Sequence, residues 1–325
     1  MSSETTRRTF IRNSLTASIA VSSAANIASS EQIDNDAQKK PAASAQTLPM
    51  GKIGDLNISR ILLGGNLLTH YTHSRDLKYV YNLAKHYNTE EKIFETMALA
   101  EANGVNTLVI HTAPGVMNFL QKYRHDRNGN IQWIICPTAE INDSMNEYRK
   151  QVREIVDNGV DAIYLWGVRG DQLASQGRMD LIAKAVEIAK EMGVPSGVGA
   201  HDLNVVQQCE KHGVDADFYV KTLHHHDYPT GPKPEEITKV YSEIPGYWCN
   251  NPEEVISFMN GVSKPFIAYK VMAAGAIPPE NAFQYAFDKG ADFVLAGMFD
   301  FEIADNVRTA NSVLKKVQRK RPWMA

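Results

Sequence analysis

Three of the ten histidines in this 325-residue sequence are consecutive, His224, His225 and His226, and they follow a strand-like run. An imidazole titrates near neutral pH, so it can carry a proton or bind a divalent metal. Because side chains alternate along a strand, His224 and His226 share one face, while His225 shares the other with Lys221. A solvated loop is the alternative interpretation. We predict that His224 or His225 works in a site and that His226 lies on the loop surface.

Two lysines, Lys221 and Lys270, end separate strand-like runs. In the first run we expect Phe218 and Val220 to face helices, which turns Lys221 and His225 inward. The same argument turns Lys270 inward, and burying an unpaired ammonium costs several kcal/mol in effective terms. Such a lysine can stabilise an oxyanion or, with a lowered pKa, act as a general base. We predict Lys221, Lys270 and His225 as catalytic residues, with structural ion pairs as the alternative for the lysines.

A second group of side chains could bind a metal at the ends of several strands. Histidine and carboxylate ligands suit Zn, Mn, Fe or Co better than Mg or Ca. No local spacing such as HExxH supports the site, and a hydrogen-bonded core histidine is the alternative for His111 and for His201. The predicted metal ligands are His111, Glu140, His201 and His224.

Strand-like runs alternate with helical patterns from Met50 onward, which predicts parallel βα units. Eight runs in about 275 residues match the size of a (β/α)8 TIM barrel, whose active site forms at the carboxyl ends of the strands. The polar and aromatic segment between Asn66 and Glu90 is longer than a βα loop needs and is a candidate lid. The predicted strand runs are 60–65, 106–111, 131–136, 162–166, 194–200, 217–223, 264–271 and 291–297.

Two segments resemble parts of aldo/keto reductases. GKIGDLNISRILLGGN, residues 51 to 66, resembles the opening of that family, where a short hairpin closes the bottom of the barrel before the first strand. GMFDFEIADN, residues 297 to 306, resembles the segment after the eighth strand, where a Gly precedes an acidic-Asn pair that helps to bind the adenosine part of NADP. The resemblance implies an aldo/keto reductase-like barrel, with Gly297 and Asn306 as candidate cofactor-binding residues.

The catalytic residues of that family are not matched. Its reductases use an Asp and a Tyr near the second strand, a Lys at the end of the third and a His at the end of the fourth. Here NTLVIHTAPG places His111 where the Asp would stand, IICPTAE has no Lys, and IYLWGVRG places Trp166 where the His would stand. The resemblance therefore implies a branch without the usual tetrad, and NADP-linked oxidation and reduction is a second hypothesis.

Composition restricts the class of protein. A hydrophobic content of 43% and a net charge of -3 are typical of a globular protein and give no support for nucleic-acid binding. Three widely spaced cysteines suggest neither a disulfide framework nor a thiolate metal site. Arg7 and Arg8 precede a weakly apolar stretch that resembles a twin-arginine export signal and is too short to span a membrane. We predict a signal and polar linker at 1–45, one catalytic barrel at 50–325 and a periplasmic location.

The first functional hypothesis is an exported enzyme with His/Lys acid-base chemistry, assisted by a divalent metal. A lyase, hydratase or isomerase step would remove a proton next to a carbonyl, with metal or lysine holding the enolate oxygen. Aromatic residues near the strand ends make a sugar or another hydroxy-carbonyl compound the expected small-molecule substrate. A hydrolase would fit these residues almost as well. A ligand-binding barrel without catalysis is the alternative from a different class.

Overall fold

The structure is a computed structural model that describes residues 48–325. The proposed export signal and its linker lie outside these residues. The strands are β1 (Met50–Ile53), β2 (Leu56–Ser59), β3 (Ile61–Gly64), β4 (Thr107–His111), β5 (Gln132–Cys136), β6 (Ala162–Leu165), β7 (Ser196–Ala200), β8 (Phe218–Thr222), β9 (Phe266–Tyr269) and β10 (Phe293–Ala296). The helices are α1 (Tyr79–Tyr87), α2 (Glu90–Ala102), α3 (Val116–Asp126), α4 (Asn146–Asp157), α5 (Gly167–Ser175), α6 (Met179–Glu191), α7 (Leu203–Lys211), α8 (Pro252–Met259), α9 (Pro279–Asp288) and α10 (Asp300–Leu314).

Eight parallel strands close into a barrel in the order β10, β3, β4, β5, β6, β7, β8, β9. Each run predicted as a strand contains one barrel strand, and helices connect the strands on the outside, so the predicted (β/α)8 TIM barrel is confirmed. The antiparallel pair β1 and β2 forms the hairpin that the opening segment predicts. Ile53 and Ile58 of that hairpin pack into the interior cluster of the barrel.

Local signals explain where several helices begin and end. The Asp202 side chain accepts a hydrogen bond from the backbone N–H of Asn204 at 3.0 Å and so caps α7, as its position before an apolar helix predicts. Pro252 begins α8, where its missing N–H is not needed. The α6 helix ends before Gly193, whose φ of 83° only glycine adopts at no steric cost. The predicted lid segment differs from expectation, because α1 forms within it.

Two apolar layers enclose the strands. An outer layer packs the strands against the helices, and a smaller cluster fills the barrel interior. The three cysteines are free and buried, as small apolar residues usually are. Among residues 48–325, no helix is both long and apolar enough to cross a membrane. The interior cluster consists of Ile53, Ile58, Leu62, Val109, Ile134, Ala162, Phe218, Val220, Ile267 and Phe293.

The predicted facing of β8 is wrong. Phe218 and Val220 belong to the interior cluster, while Tyr219 belongs to the outer layer and donates its hydroxyl to Glu210 of α7 at 2.6 Å. Alternation therefore turns Lys221 toward the helices. The sequence could not decide this point, because β8 is buried on both faces and its apolar residues do not mark one face as interior.

Candidate active site

A chain of three side chains lies at the mouth of the barrel, beyond the carboxyl end of β9. Lys270 Nζ donates to His73 Nε2 at 2.9 Å, and His73 Nδ1 donates to Glu243 Oε1 at 2.6 Å. The carboxylate fixes the neutral tautomer of His73, which leaves Nε2 as the acceptor for the lysine. His73 comes from the segment after β3, and Glu243 from the segment between β8 and α8. The chain of hydrogen bonds therefore combines Lys270 from a strand end with His73 and Glu243 from two loops at the mouth.

Lys270 reaches the mouth because the strand conformation ends at Tyr269. Within β9, Ile267 lies in the interior cluster and Ala268 in the outer layer, so plain alternation would turn Lys270 toward the helices. Lys270 instead has a φ of 57°, in the left-handed region that non-glycine residues rarely adopt. The prediction of an inward Lys270 is correct in outcome, but its reason is this turn of the backbone.

The surroundings of Lys270 disfavour its charged form. Burial lowers the pKa of the ammonium from 10.5 to about 7, although the carboxylates of Glu243 and Asp171 act in the opposite direction. Burial also lowers the pKa of His73, against the effect of its bond to Glu243. Close to pH 7, a substantial fraction of the Lys270 amine is therefore neutral, beside an imidazole whose pKa is also lowered.

A second imidazole is held by a second carboxylate. His201, just after β7, donates from Nδ1 to Asp171 Oδ2 at 2.7 Å. Asp171 Oδ1 accepts the backbone N–H groups of His201 and Asp202, both at 2.9 Å. The pKa of His201 is lowered to about 4, mainly by burial and also by the charges of Lys270 and Lys221, while Asp171 acts in the opposite direction. His201 is thus a neutral imidazole whose Nε2 keeps its lone pair.

Two glycines let the helix that carries Asp171 approach the strand that precedes His201. A Cβ on Gly170 of α5 would lie 2.5 Å from the carbonyl oxygen of Gly199 in β7. A Cβ on Gly199 would lie 2.7 Å from the carbonyl oxygen of Leu165. Side chains at these positions would force the elements apart, so the glycines set the distance across which Asp171 holds His201.

Aromatic rings form the walls around the lysine and the second imidazole. Lys270 Nζ lies 5.5 Å from the ring centre of Trp248, 5.8 Å from that of Tyr241 and 5.9 Å from that of Tyr269. The His201 ring packs against Tyr241 at 4.6 Å and against Tyr269 at 5.5 Å. Lys270 and His201 therefore share the same two tyrosine rings, which brings the two chemical groups into one site.

His111, predicted as a metal ligand, also lies at the mouth. Alternation in β4 places Val109 in the interior and His111 above it, as predicted. Its ring lies 6.1 Å from that of Tyr71, and burial lowers its pKa. His111 is therefore a third neutral imidazole at this end of the barrel.

The triple histidine is not part of the site but supports one of its loops. His224 is buried, donates from Nδ1 to the carbonyl of His225 at 2.8 Å, and accepts at Nε2 the amides of Trp248 and Cys249 at 2.9 and 3.1 Å. His226 donates to the carbonyl of Cys249 at 2.6 Å. Burial lowers the pKa of His224 to about 3. The prediction that His226 is only loop surface is wrong, because both rings hold the segment that carries Trp248.

The two other predicted catalytic residues lie elsewhere. His225 donates from Nε2 to Asn281 of α9 at 2.7 Å and packs edge-on against Tyr285 at 5.0 Å. Lys221 is fully buried, and its Nζ donates to the hydroxyl and carbonyl oxygens of the adjacent Thr222 at 2.9 and 3.1 Å. Burial lowers the pKa of Lys221. His225 is thus bound to an outer helix and Lys221 to its neighbour in the chain, so neither side chain forms a hydrogen bond with Lys270 or His201, although the charge of Lys221 acts on His201.

The predicted metal ligands do not form a ligand set. No group of three His, Cys, Asp or Glu side chains within residues 48–325 could hold a metal ion. Glu140 is exposed, both ring nitrogens of His224 are bound to backbone groups, and Nδ1 of His201 is bound to Asp171. The described residues do not fit a resident divalent metal.

The segment proposed to bind NADP fits the nucleotide poorly. Gly297 follows β10 and is exposed, while Asn306 is buried in α10. A helix N-terminus attracts phosphate, yet the first turn of α10 already contains the carboxylates of Asp300 and Glu302. Asp300 in turn accepts hydrogen bonds from the Tyr87 hydroxyl at 2.7 Å and from a lysine of α2. Carboxylates at this position would repel the phosphates of NADP.

Residues of the mouth that the sequence did not single out include some of its most important groups. His73 and Glu243 lie in irregular segments, and Asp171 lies in a helix. One signal was available for Asp171, which follows β6 by only six residues and therefore belongs to the mouth of any such barrel. His73 lies in the segment predicted as a lid, but nothing in its spacing indicates a lysine partner.

Comparison with known proteins supports the fold. No family model matches the chain, and no curated protein matches it. A structure from Pseudomonas aeruginosa, described as that of an aldo-keto reductase, is 15% identical with a TM-score of 0.58, and the match covers 83% of this chain and 98% of that one. A second structure with the same description and organism is 17% identical with a TM-score of 0.57 and the same coverage. A variant of Gox0644 in complex with NADPH is 12% identical with a TM-score of 0.51, covering 85% and 95%. These likenesses show the fold alone, a (β/α)8 barrel that this chain shares with those proteins.

Proposed function

We propose that this protein is an enzyme that moves a proton at a carbon next to a carbonyl group, in a lyase, hydratase or isomerase reaction. The observation that carries the proposal is the pairing of Lys270, bound to a carboxylate-held imidazole, with His201, held by Asp171 against the same tyrosine rings. Barrel enzymes place their chemistry at this end of the strands. An amine with a pKa near 7 and neutral imidazoles suit acid-base catalysis at neutral pH.

In this proposal His201 accepts the proton from carbon. Its Nδ1–H is committed to Asp171, so the lone pair of Nε2 is the basic atom. Asp171 then stabilises the imidazolium that forms, and the two amides on its other oxygen keep it in place. Lys270 faces the carbonyl group and stabilises the negative charge that develops on its oxygen. No step requires a metal.

The substrate class follows from the walls of the site. Tyr71 and Tyr241 are 58% and 38% exposed, so aromatic faces remain available where a substrate would enter. Hydroxylated rings and chains pack on such faces, while imidazole and amine groups supply hydrogen bonds. A sugar derivative or another small hydroxy-carbonyl compound is therefore the substrate class that we propose.

Exchange of carbon-bound hydrogen tests the proposal directly. The protein is incubated in D2O with a panel of aldoses, ketoses and smaller hydroxy-carbonyl compounds, and deuterium incorporation is followed by NMR. We expect exchange next to the carbonyl, reduced about 100-fold or more by His201→Asn because general-base catalysis is worth that much. Exposed His86 provides the matched control, and His86→Asn should leave the rate unchanged. Exchange that survives His201→Asn would contradict the role of His201.

Absence of exchange with the whole panel would favour the ligand-binding alternative, especially if a sugar still raised the melting temperature.

The NADP-linked oxidoreductase is a second candidate, favoured by the likeness to an NADPH complex and by the exposed Gly297. NADPH fluorescence titration separates it from the first. Micromolar binding would favour the oxidoreductase, whereas the carboxylates at the start of α10 lead us to expect none.

We also propose export through the twin-arginine leader. The proposal rests on Arg7 and Arg8 and on the lack of acidic residues in the stretch that follows them. Fractionation of cells that express the full chain should place it outside the cytoplasm. Replacement of both arginines with lysine should retain it inside, and an unchanged distribution would contradict the proposal.

A further inference from the structure

The amine of Lys270 is unusual among the lysines of the barrel because an imidazole, not a carboxylate, is its partner. Within residues 48–325 its Nζ has one hydrogen bond, to His73 Nε2 at 2.9 Å, and no salt bridge. Other lysines here bind oxygen atoms, as Lys264 binds the carboxylate of Glu210 and Lys221 binds the oxygens of Thr222. An amine whose neighbour accepts protons can lose its own proton and present a lone pair.

We propose that Lys270 binds the carbonyl carbon of the substrate covalently, as an imine, at the mouth of the barrel. The proposal rests on the proposed function and narrows its substrate class to aldehydes and ketones that carry a C–H bond next to the carbonyl. Acids and esters are excluded, because they do not condense with an amine in this way.

Lys270 and His73 supply and accept every proton that the condensation requires. The ammonium of Lys270 first gives a proton to His73 Nε2, and the imidazolium is stabilised by Glu243 at 2.6 Å. The nitrogen lone pair then forms a bond to the carbonyl carbon, and one N–H proton moves to the oxygen. The carbon–oxygen bond breaks as His73 returns its proton, so the oxygen leaves as water. Ammonium and carbonyl thus become iminium and water, without another reactant.

The aromatic walls of the site offset part of the cost of burying the protonated imine that this step produces. The protonated imine carries a positive charge, and the ring centres of Trp248, Tyr241 and Tyr269 lie within 6 Å of the lysine nitrogen. Aromatic faces attract a cation that has lost its water shell. The carboxylate of Glu243, one imidazole away, and the carboxylate of Asp171 add a favourable electrostatic field.

The weakness of the second base supports the same step. His201 has a pKa lowered to about 4, so it removes the proton faster when the carbonyl has become an iminium than from the carbonyl compound itself. An iminium withdraws electrons from the neighbouring carbon much more strongly than a neutral carbonyl does, so a weaker base suffices. The proton passes to His201 Nε2 and the C–H electron pair forms an enamine, which either protonates or expels a leaving group.

Trapping with a reductant tests the imine. The full-length protein is treated near pH 6.5 with glycolaldehyde and sodium cyanoborohydride, and the rate of modification of each lysine is measured by peptide mass spectrometry. A lysine with a pKa of about 7 has roughly three orders of magnitude more neutral amine at this pH than an ordinary one. We expect Lys270 to react at least 100-fold faster than exposed Lys85, a comparison that needs no variant. In His73→Asn, the Lys270 rate should fall about tenfold while the Lys85 rate stays the same.

Two results would overturn the proposal: a Lys270 rate no higher than that of Lys85, or a Lys270 rate that His73→Asn does not change. The outcome is independent of the exchange experiment. Deuterium exchange without trapping would leave the proposed function in place and remove the imine. Trapping without exchange would support the imine and remove the proton transfer by His201.

Discussion

Replacing Lys270 with methionine should stabilise the protein in a pH-dependent way. The substitution keeps the length of the side chain and removes the amine. The folded protein lowers the pKa of this lysine from 10.5 to about 7, so folding at neutral pH must either bury an ammonium or remove its proton. Methionine has neither cost, and its thioether suits the aromatic walls of the site.

The direction and size of the expected change in unfolding free energy follow from the pKa of Lys270 in the unfolded chain, 10.5, and in the folded chain, about 7. Below pH 7 both folded and unfolded chains carry the proton, and the penalty is complete. Between pH 7 and 10.5 the unfolded chain holds more protons than the folded chain, so the stability of the wild type rises with pH by about 1.4 kcal/mol per unit. From pH 6 to pH 8.5 the advantage of Lys270→Met should therefore fall by about 2 kcal/mol.

Urea unfolding at a series of pH values measures this difference, since the wild type and the variant are compared under identical conditions. Lys85 of α1 is exposed, and Lys85→Met provides a control that should follow the wild type at every pH. Parallel curves for Lys270→Met and the wild type would refute the reasoning, because they would mean that Lys270 is charged in the folded protein across the whole range.

Three further predictions concern the support of the site. Gly170→Ala should destabilise the barrel by about 1–3 kcal/mol and weaken the hold of Asp171, seen by urea unfolding and by a slower exchange reaction, because its Cβ would lie 2.5 Å from a carbonyl oxygen. In Gly261→Ala the nearest atom would be 3.5 Å away, and an equal loss there would contradict this account. His224→Ala should lower the free energy of unfolding by about 2–4 kcal/mol in the same assay, since two buried amides lose their acceptor. His225→Ala should lower it by less than about 1 kcal/mol. Equal losses would contradict the role of His224 in holding the loop that carries Trp248. Treatment with a chelator should leave the melting temperature and exchange activity unchanged, and a loss of both together with stoichiometric metal in the untreated protein would disprove a metal-free site.

The fold could be predicted from the sequence because its signals are local and repeated. Each strand run is short and apolar, each helix shows its period, and glycines or prolines separate them, so eight βα units leave few architectures open. The positions of His111 and His201 at the mouth also follow from alternation in β4 and β7, where the small or apolar neighbours distinguish the two faces.

Which side chains of β8 and β9 face the barrel interior could not be predicted from the sequence in the same way. Both strands are buried on both faces, so Phe218 could face inward or outward without a change in composition. The left-handed turn at Lys270 is a second obstacle, because it reverses the facing that alternation would predict. The facing predicted from alternation was wrong for both strands, but the backbone turn still brings Lys270 to the mouth, whereas the Lys221 amine binds the oxygens of Thr222.

The sequence by itself determined the barrel, the end of it at which chemistry belongs, and an abundance of lysine and histidine at that end. Only the tertiary structure decided which of these groups meet. Lys270, His73 and Glu243 are separated by long stretches of chain, and their hydrogen bonds depend on two irregular segments that fold over the mouth. The three consecutive histidines show the same limit, because proximity in sequence made them look like a site, whereas the backbone groups that they bind make two of them supports for the loop that carries Trp248.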